Sequence, residues 1–145
     1  MITPSFFPGK RPYRREDSVF FFPVPSQLSG LLDRLALHQC VFLVGPEGIG
    51  KTSLMEAGLP DAMEQGLLFG ATPMWTFLSL DLMANPLDGL VDALMRTFPG
   101  SEHRLDTKDG LKSTLLHDRM ALRDHLLRVM PRDHNILIMI DDLDK

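Results

Sequence analysis

Apolar positions along the 145-residue chain change their spacing several times, and each change marks a predicted element. The first 25 residues hold Pro4, Pro8, Pro12, Pro23 and Pro25 among six rings: Phe6, Phe7, Tyr13, Phe20, Phe21 and Phe22. That composition predicts an extended arm, not a helix, whose aromatics pack on something else. From Ser26, read as an N-cap, Leu28, Leu31, Leu32 and Leu35 recur at helical spacing as far as about Gln39. The run Val41-Phe42-Leu43-Val44 then predicts a buried strand, and a helix follows from Gly50 to about Gln65, with Pro60 expected to break or kink it. Residues 66–73 read as a loop, 75–80 as a second strand and 81–86 as a turn. A helix over 87–98 carries Leu87, Leu90, Val91, Leu94 and Met95 inward and ends at Pro99-Gly100. A longer helix over 107–130 directs Leu111, Leu115, Met120, Leu122, Leu126, Leu127 and Val129 to the core, and Pro131 stops it. Last comes Ile136-Leu137-Ile138-Met139-Ile140, an unbroken apolar run that predicts a parallel strand buried on both faces.

Composition narrows the class without naming a function. At 145 residues the chain is one domain or part of one. With 44% hydrophobic and 23% charged residues it falls in the ordinary globular range. A formal net charge of −4 gives no electrostatic case for nucleic acid. The dense positive cluster Lys10, Arg11, Arg14 and Arg15 also contains Glu16 and Asp17, and it reads as a solvated lead. The single Cys40 cannot close an internal disulfide, which suits a reducing cytoplasm. The five histidines (38, 103, 117, 125 and 134) lack metal-ligand spacing and read as structural or surface residues. No apolar stretch approaches the ~20 residues that span a bilayer, and Val19-Phe20-Phe21-Phe22 is cut by Pro23 before it could form a signal core. The expected location is the cytoplasm.

The chemistry concentrates in Gly45-Pro46-Glu47-Gly48-Ile49-Gly50-Lys51-Thr52, which fits G-x-x-x-x-G-K-[ST], the phosphate-binding P-loop. The pattern arises by chance in roughly one chain of this length in a few hundred. Its setting, after an apolar strand and before a helix, is the one the motif requires. Crowded anionic phosphates need backbone N–H groups brought close. Gly45, Gly48 and Gly50 remove side chains that would stand in the way and permit positive φ where the loop turns. The helix beginning near Lys51 aims its unpaired N–H groups at the phosphates. Lys51 adds a full charge for the β/γ oxygens, the Thr52 hydroxyl is placed to ligate Mg²⁺, and Ser53 is a weaker candidate for an α-phosphate contact. The plain alternative is a Gly-rich turn between a strand and a helix.

The second half of the predicted site is the acidic end of the last strand, Ile140-Asp141-Asp142. Ligands of open α/β sheets bind beyond the carboxyl ends of the strands. Asp141 is assigned to the Mg²⁺ side. Asp142, or else Asp144, is the candidate for orienting or deprotonating the attacking water. A solvated acidic turn is the alternative. Lys51 and Asp141 are 90 positions apart (141 − 51), which leaves room for the strand at 75–80 between the two motif strands. The fold expected is therefore α/β, a P-loop NTPase of three αβα layers on a parallel sheet, with about three strands present. Residues 1–25 form the arm, and 26–145 the portion from P-loop to acidic strand.

With these residues in hand, the chain resembles a STAND-class NTPase of the group called novel STAND NTPase 1. Arg11-Pro12-Tyr13-Arg14-Arg15-Glu16-Asp17 with Phe20-Phe21 resembles that family's lead segment. Lys51-Thr52-Ser53-Leu54 running to Ala57-Gly58-Leu59-Pro60 resembles its extended P-loop. Trp75, then Asn85-Pro86-Leu87 with Leu90 and Leu94, and then the acidic strand complete the match over roughly residues 11–145. Two positions depart from it. Phe22-Pro23-Val24-Pro25 stands where the family has a Gly-Arg step near the base, so ATP and GTP both stay open. Asp142 stands where a Gln is common.

The resemblance implies an ATP-binding, AAA-like module of a signalling ATPase, with ATP and Mg²⁺ as cofactors and with protein partners or further domains. Similar proteins are switches fused to repeats or effectors. Because the chain stops within five residues of the acidic strand, it is expected to be an N-terminal piece whose hydrolysis needs later elements, any arginine finger included. A non-catalytic interaction fragment, acting through its aromatic arm and an exposed sheet edge, is the competing reading. A small-molecule kinase is a third, opposed by the long spacing to the paired acids.

Overall fold

The computed structural model describes residues 7–68, 70, 74–81, 85–99 and 107–141. It is an α/β protein in two compact units, Met1–Trp75 and Thr76–Lys145, each taken by itself below.

In the first unit a 3₁₀ turn, Arg15–Phe20, leads through Phe21–Val24 into helix α1, Pro25–Leu37. The helix starts one residue before the expected Ser26 cap because Pro25 takes the first helical position, where its fixed φ is already helical and its missing N–H costs nothing. Leu31 and Leu32 are its buried residues. The following run Val41–Val44 is not a strand. Its backbone makes no hydrogen bond among the described residues, and Phe42 and Val44 are 74% and 90% exposed. The period-2 alternation is present, with Val41 and Leu43 half-buried, yet apolar residues make a strand only when a neighbouring backbone supplies the ladder.

Beyond the glycine-rich loop the chain is continuously helical. It runs through α2, Lys51–Ser53, a π-helical turn, Leu54–Gly58, and α3, Leu59–Glu64. The break expected at Pro60 does not occur. Pro60 sits fully buried at the start of α3, directly after the π turn. In the π register Leu59 N–H reaches back to the carbonyl of Leu54, so the ladder shifts by one residue just before the residue that cannot donate. The buried side chains of this unit lie largely on the same helix: Leu54, Ala57, Leu59, Ala62 and Met63.

The second unit is built on a two-stranded parallel sheet of β1, Trp75–Asp81, and β2, Asn135–Asp141, joined through three helices. Among the described residues two strands stand where about three are expected. Asn85 caps α4, Pro86–Thr97: its Oδ1 accepts from the N–H of Leu87 at 3.0 Å and of Asp88 at 3.5 Å, with Pro86 in the first position. Thr107 caps α5, Lys108–His117, accepting from Gly110 N–H at 3.2 Å. The single helix expected over 107–130 is divided there, and α6 begins at Ala121 and runs to Val129. Asp118 makes the break. Its carboxylate accepts from Met120 N–H at 2.8 Å and its carbonyl from Ala121 N–H at 3.2 Å, a local turn that competes with helix. The division rotates α6, so that Leu127 and Met120 face solvent while His125 is buried.

The core here joins Leu78, Leu80, Val91, Ala93, Leu94 and Leu111, with Ile136 and Ile138 of β2 packed against it. Strand β2 is only partly buried, Met139 excepted, because one neighbour covers one edge and the sheet goes no further among the described residues. Two ion pairs zip α4 to α5 in antiparallel order: Lys112 to Asp88 at 2.5 Å and Lys108 to Asp92 at 2.7 Å. The bond to Asp92 holds the Lys108 ammonium above its ordinary range.

Leu94 has no solvent exposure and sits in the middle of this cluster. Leu94→Ala should destabilise the chain by about 2–5 kcal/mol through lost burial and the cavity left behind. Denaturant unfolding followed by circular dichroism checks this, and a loss under 1 kcal/mol would show that the core is not packed there.

Candidate functional site

The segment Gly45–Thr52 makes a tight turn into α2. The carbonyl of Pro46 accepts from Ile49 N–H at 3.4 Å, and that of Gly50 accepts from Leu54 N–H at 2.9 Å, the first bond of the helix. Gly48 and Gly50 have φ of 76° and 94°, where an L side chain would be strained. A Cβ at either would meet nothing within 4 Å, so backbone conformation, not space, demands glycine there. The expectation of positive φ holds for these two and fails for Gly45, whose absent Cβ would merely touch Ile49 Cγ2 at 3.4 Å.

The N–H groups of Glu47, Gly48, Gly50 and Lys51 make no hydrogen bond within the described chain. The Lys51 ammonium donates to the carbonyls of Gly45 at 2.7 Å and Pro46 at 3.0 Å, so it lies over the same loop. Unpartnered amides, a helix start and a positive charge within one eight-residue turn are the chemistry that holds an anion. The residues therefore fit a polyphosphate.

Thr52, the second residue of α2, is half-buried. Ser53 is buried and faces the arm: its Oγ accepts from the main-chain N–H of Tyr13 at 3.1 Å. The arm is anchored by a residue to which its sequence setting assigns no such role. Asp17 is completely buried, and its carboxylate accepts from Arg11 at 2.5 and 3.1 Å and from Arg14 N–H at 3.1 Å. The same bond holds the Arg11 guanidinium above its ordinary range. The solvated lead is thus corrected in part. Lys10, Arg14 and Arg15 are exposed, while Arg11 is the half-buried partner of an internal acid. The signal available was Asp17 three residues after Arg14 and just ahead of an apolar run, the spacing at which a side chain reaches back to cap a helical start.

A family model described as Novel STAND NTPase 1 matches residues 7–145. The chain belongs to that family. No curated protein matches it, and no solved structure does. The STAND NTPase assignment suggests nucleotide and metal use.

Asp141, the last residue of β2, is half-buried and belongs to the second unit. Asp142 and Asp144 lie outside the described residues, as do Pro4, Phe6, Gly100 and residues 82–84 of the turn expected over 81–86. Among the described residues there is no group of three or more His, Cys, Asp or Glu side chains that could hold a metal, and no helix is long and apolar enough to cross a membrane.

Gly58, a small residue of the extended P-loop segment, is fixed by close approach. A Cβ there would lie 2.9 Å from Phe21 Cε1, and that ring is itself held against Tyr13 at a centroid distance of 5.3 Å. Gly58→Val should cost about 1–3 kcal/mol by overpacking and loosen the arm. Thermal unfolding with limited proteolysis of the arm tests this, and an unshifted Tm with an uncut arm contradicts it.

Proposed function

We propose that the chain is the ATP-binding module of a STAND-type signalling ATPase, built on the three-layer P-loop NTPase architecture. The observation that carries this reading is the loop itself. Four main-chain N–H groups without partners and one ammonium are gathered over Glu47–Lys51, at the start of a helix and in the sequence pattern of a P-loop. Family membership supports it from a separate direction.

In this reading Gly45, Pro46, Glu47, Gly48, Ile49 and Gly50 wrap the β- and γ-phosphates, and Lys51 exchanges its two carbonyl partners for phosphate oxygens. Thr52 and Asp141 are the metal-side residues. Asp142 orients or deprotonates the attacking water, with Asp144 as the alternative acid. Mg²⁺ held by Thr52 and Asp141 would neutralise phosphate charge. Transition-state charge on the γ-phosphoryl calls for a further cation such as an arginine finger, which a partner or another part of the protein supplies. The second reading, a non-catalytic interaction fragment, draws on the exposed apolar run at Phe42 and Val44.

Lys51→Ala should abolish Mg·ATP binding, while Asp142→Asn should leave affinity within about threefold and slow turnover by roughly 10²-fold or more, the scale of a lost acid–base group. Titration calorimetry and phosphate release measure the two effects. Equal ATP affinity in the wild type and Lys51→Ala would refute the assignment. Thermal shift separates the second reading, since Mg·ATP raises Tm only where a site forms.

A further inference from the structure

We propose that Ser53 and Asp17 are positioning residues: they clamp the N-terminal arm onto the first turn of the phosphate-loop helix, so that arm order and triphosphate binding are coupled. This rests on the nucleotide reading above and assigns Ser53 a role different from that of a phosphate ligand.

Successive helical residues are about 100° apart. Ser53 therefore points away from Lys51 by roughly 160°, two steps round the same turn. Lys51 is turned onto the loop, whereas the Ser53 hydroxyl is buried and engaged by Tyr13 N–H. That N–H is aimed by the residues on either side of it. Arg11 and the main-chain N–H of Arg14 are both tied to the Asp17 carboxylate, which closes residues 11–17, Tyr13 among them, into a hook. The carboxylate also sits over its own turn, where Asp17 N–H donates to the Arg14 carbonyl at 2.9 Å.

The arm then follows the helix. Phe21 closes on Gly58, where no Cβ fits, and Arg15 pairs with Glu64. The contacts at Ser53, Gly58 and Glu64 register the arm along the whole helix, and the one at Ser53 is the closest to the phosphate loop. Gly50, in the left-handed region, joins that first turn directly to the loop. A shift of that turn moves Lys51 and Thr52 together. Coupling of this kind is reciprocal: whatever the arm contributes to triphosphate affinity, the triphosphate contributes to arm order.

Amide hydrogen exchange at Tyr13 and Arg14, measured on the full chain with and without Mg·ATP, tests this alongside ATP affinity. Saturating Mg·ATP should slow Tyr13 exchange in the wild type. Ser53→Ala should speed it about tenfold without nucleotide and weaken Mg·ATP binding by about fivefold or more. Ser53→Thr, which keeps the hydroxyl, should restore both. Tyr13→Pro deletes the donor and leaves Ser53 untouched, and it should bind Mg·ATP at least fivefold more weakly than Tyr13→Ala, which keeps the donor. Asp17→Asn should speed exchange at Arg14; if that variant does not fold, the Ser53 and Tyr13 variants carry the test.

The proposal is overturned if Ser53→Ala loses affinity with Tyr13 exchange unchanged and Tyr13→Pro binds like Tyr13→Ala, the pattern of a direct phosphate ligand. A wild type that binds no Mg·ATP overturns the nucleotide reading and the coupling with it. The exchange contrast between wild type and Ser53→Ala, read without nucleotide, still decides whether the clamp exists.

Discussion

A carboxylate without access to water must be met on its lone pairs, and Asp17 meets that demand with a guanidinium and a main-chain N–H from its own arm. The arrangement of the first unit follows from it. Apart from the 3₁₀ turn Arg15–Phe20, the described part of the arm ahead of α1 joins no regular helix or strand. Its position is set by side-chain contacts instead: Asp17 inside the hook, Tyr13 N–H on Ser53, and Phe21 in the space left by Gly58. Removing the guanidinium leaves the buried carboxylate with an uncompensated charge, which is destabilising. The Arg15–Glu64 pair is mostly exposed and contributes little by comparison.

Much of the organisation is legible in the sequence where local signals and packing agree. Asn85-Pro86 marks the start of α4, and the spacing of Leu90, Val91 and Leu94 gives its inward face. The order of the motifs and the family resemblance are legible too, because glycines at fixed offsets followed by a Lys-Thr pair seldom occur together by accident. The failures have a common cause. Val41–Val44 is apolar enough for a buried strand, but hydrophobicity reports a preference for burial and not the presence of a paired neighbour, whereas Ile136–Ile140 does form the expected parallel strand and only its burial on both faces falls short. Pro60 carries the signature of a helix breaker, and the π turn that accommodates it depends on a backbone register no residue type announces. Asp118 is one turn-forming acid inside a long apolar periodicity, a weak signal until its hydrogen bonds are seen.

For the candidate site, residue identity is legible and residue company is not. The loop positions follow from the motif, and the positive φ expected of its glycines is found at Gly48 and Gly50. Arg11 with Asp17, and Tyr13 with Ser53, are pairings across the chain that spacing cannot give; the second joins residues 40 positions apart.

The self-contact of Lys51 completes the physical argument. An ammonium over a loop in this position needs oxygen partners, and the nearest are the carbonyls of Gly45 and Pro46. Those bonds satisfy the cation while the neighbouring N–H groups stay uncommitted. In the proposed reading the ammonium exchanges two neutral carbonyl acceptors for charged phosphate oxygens, which adds charge–charge attraction to bonds whose donor is already ionised. The gain arises only if the helix start keeps its place as the lysine swings, and the contact that holds that first turn from its far side is the one between Tyr13 and Ser53.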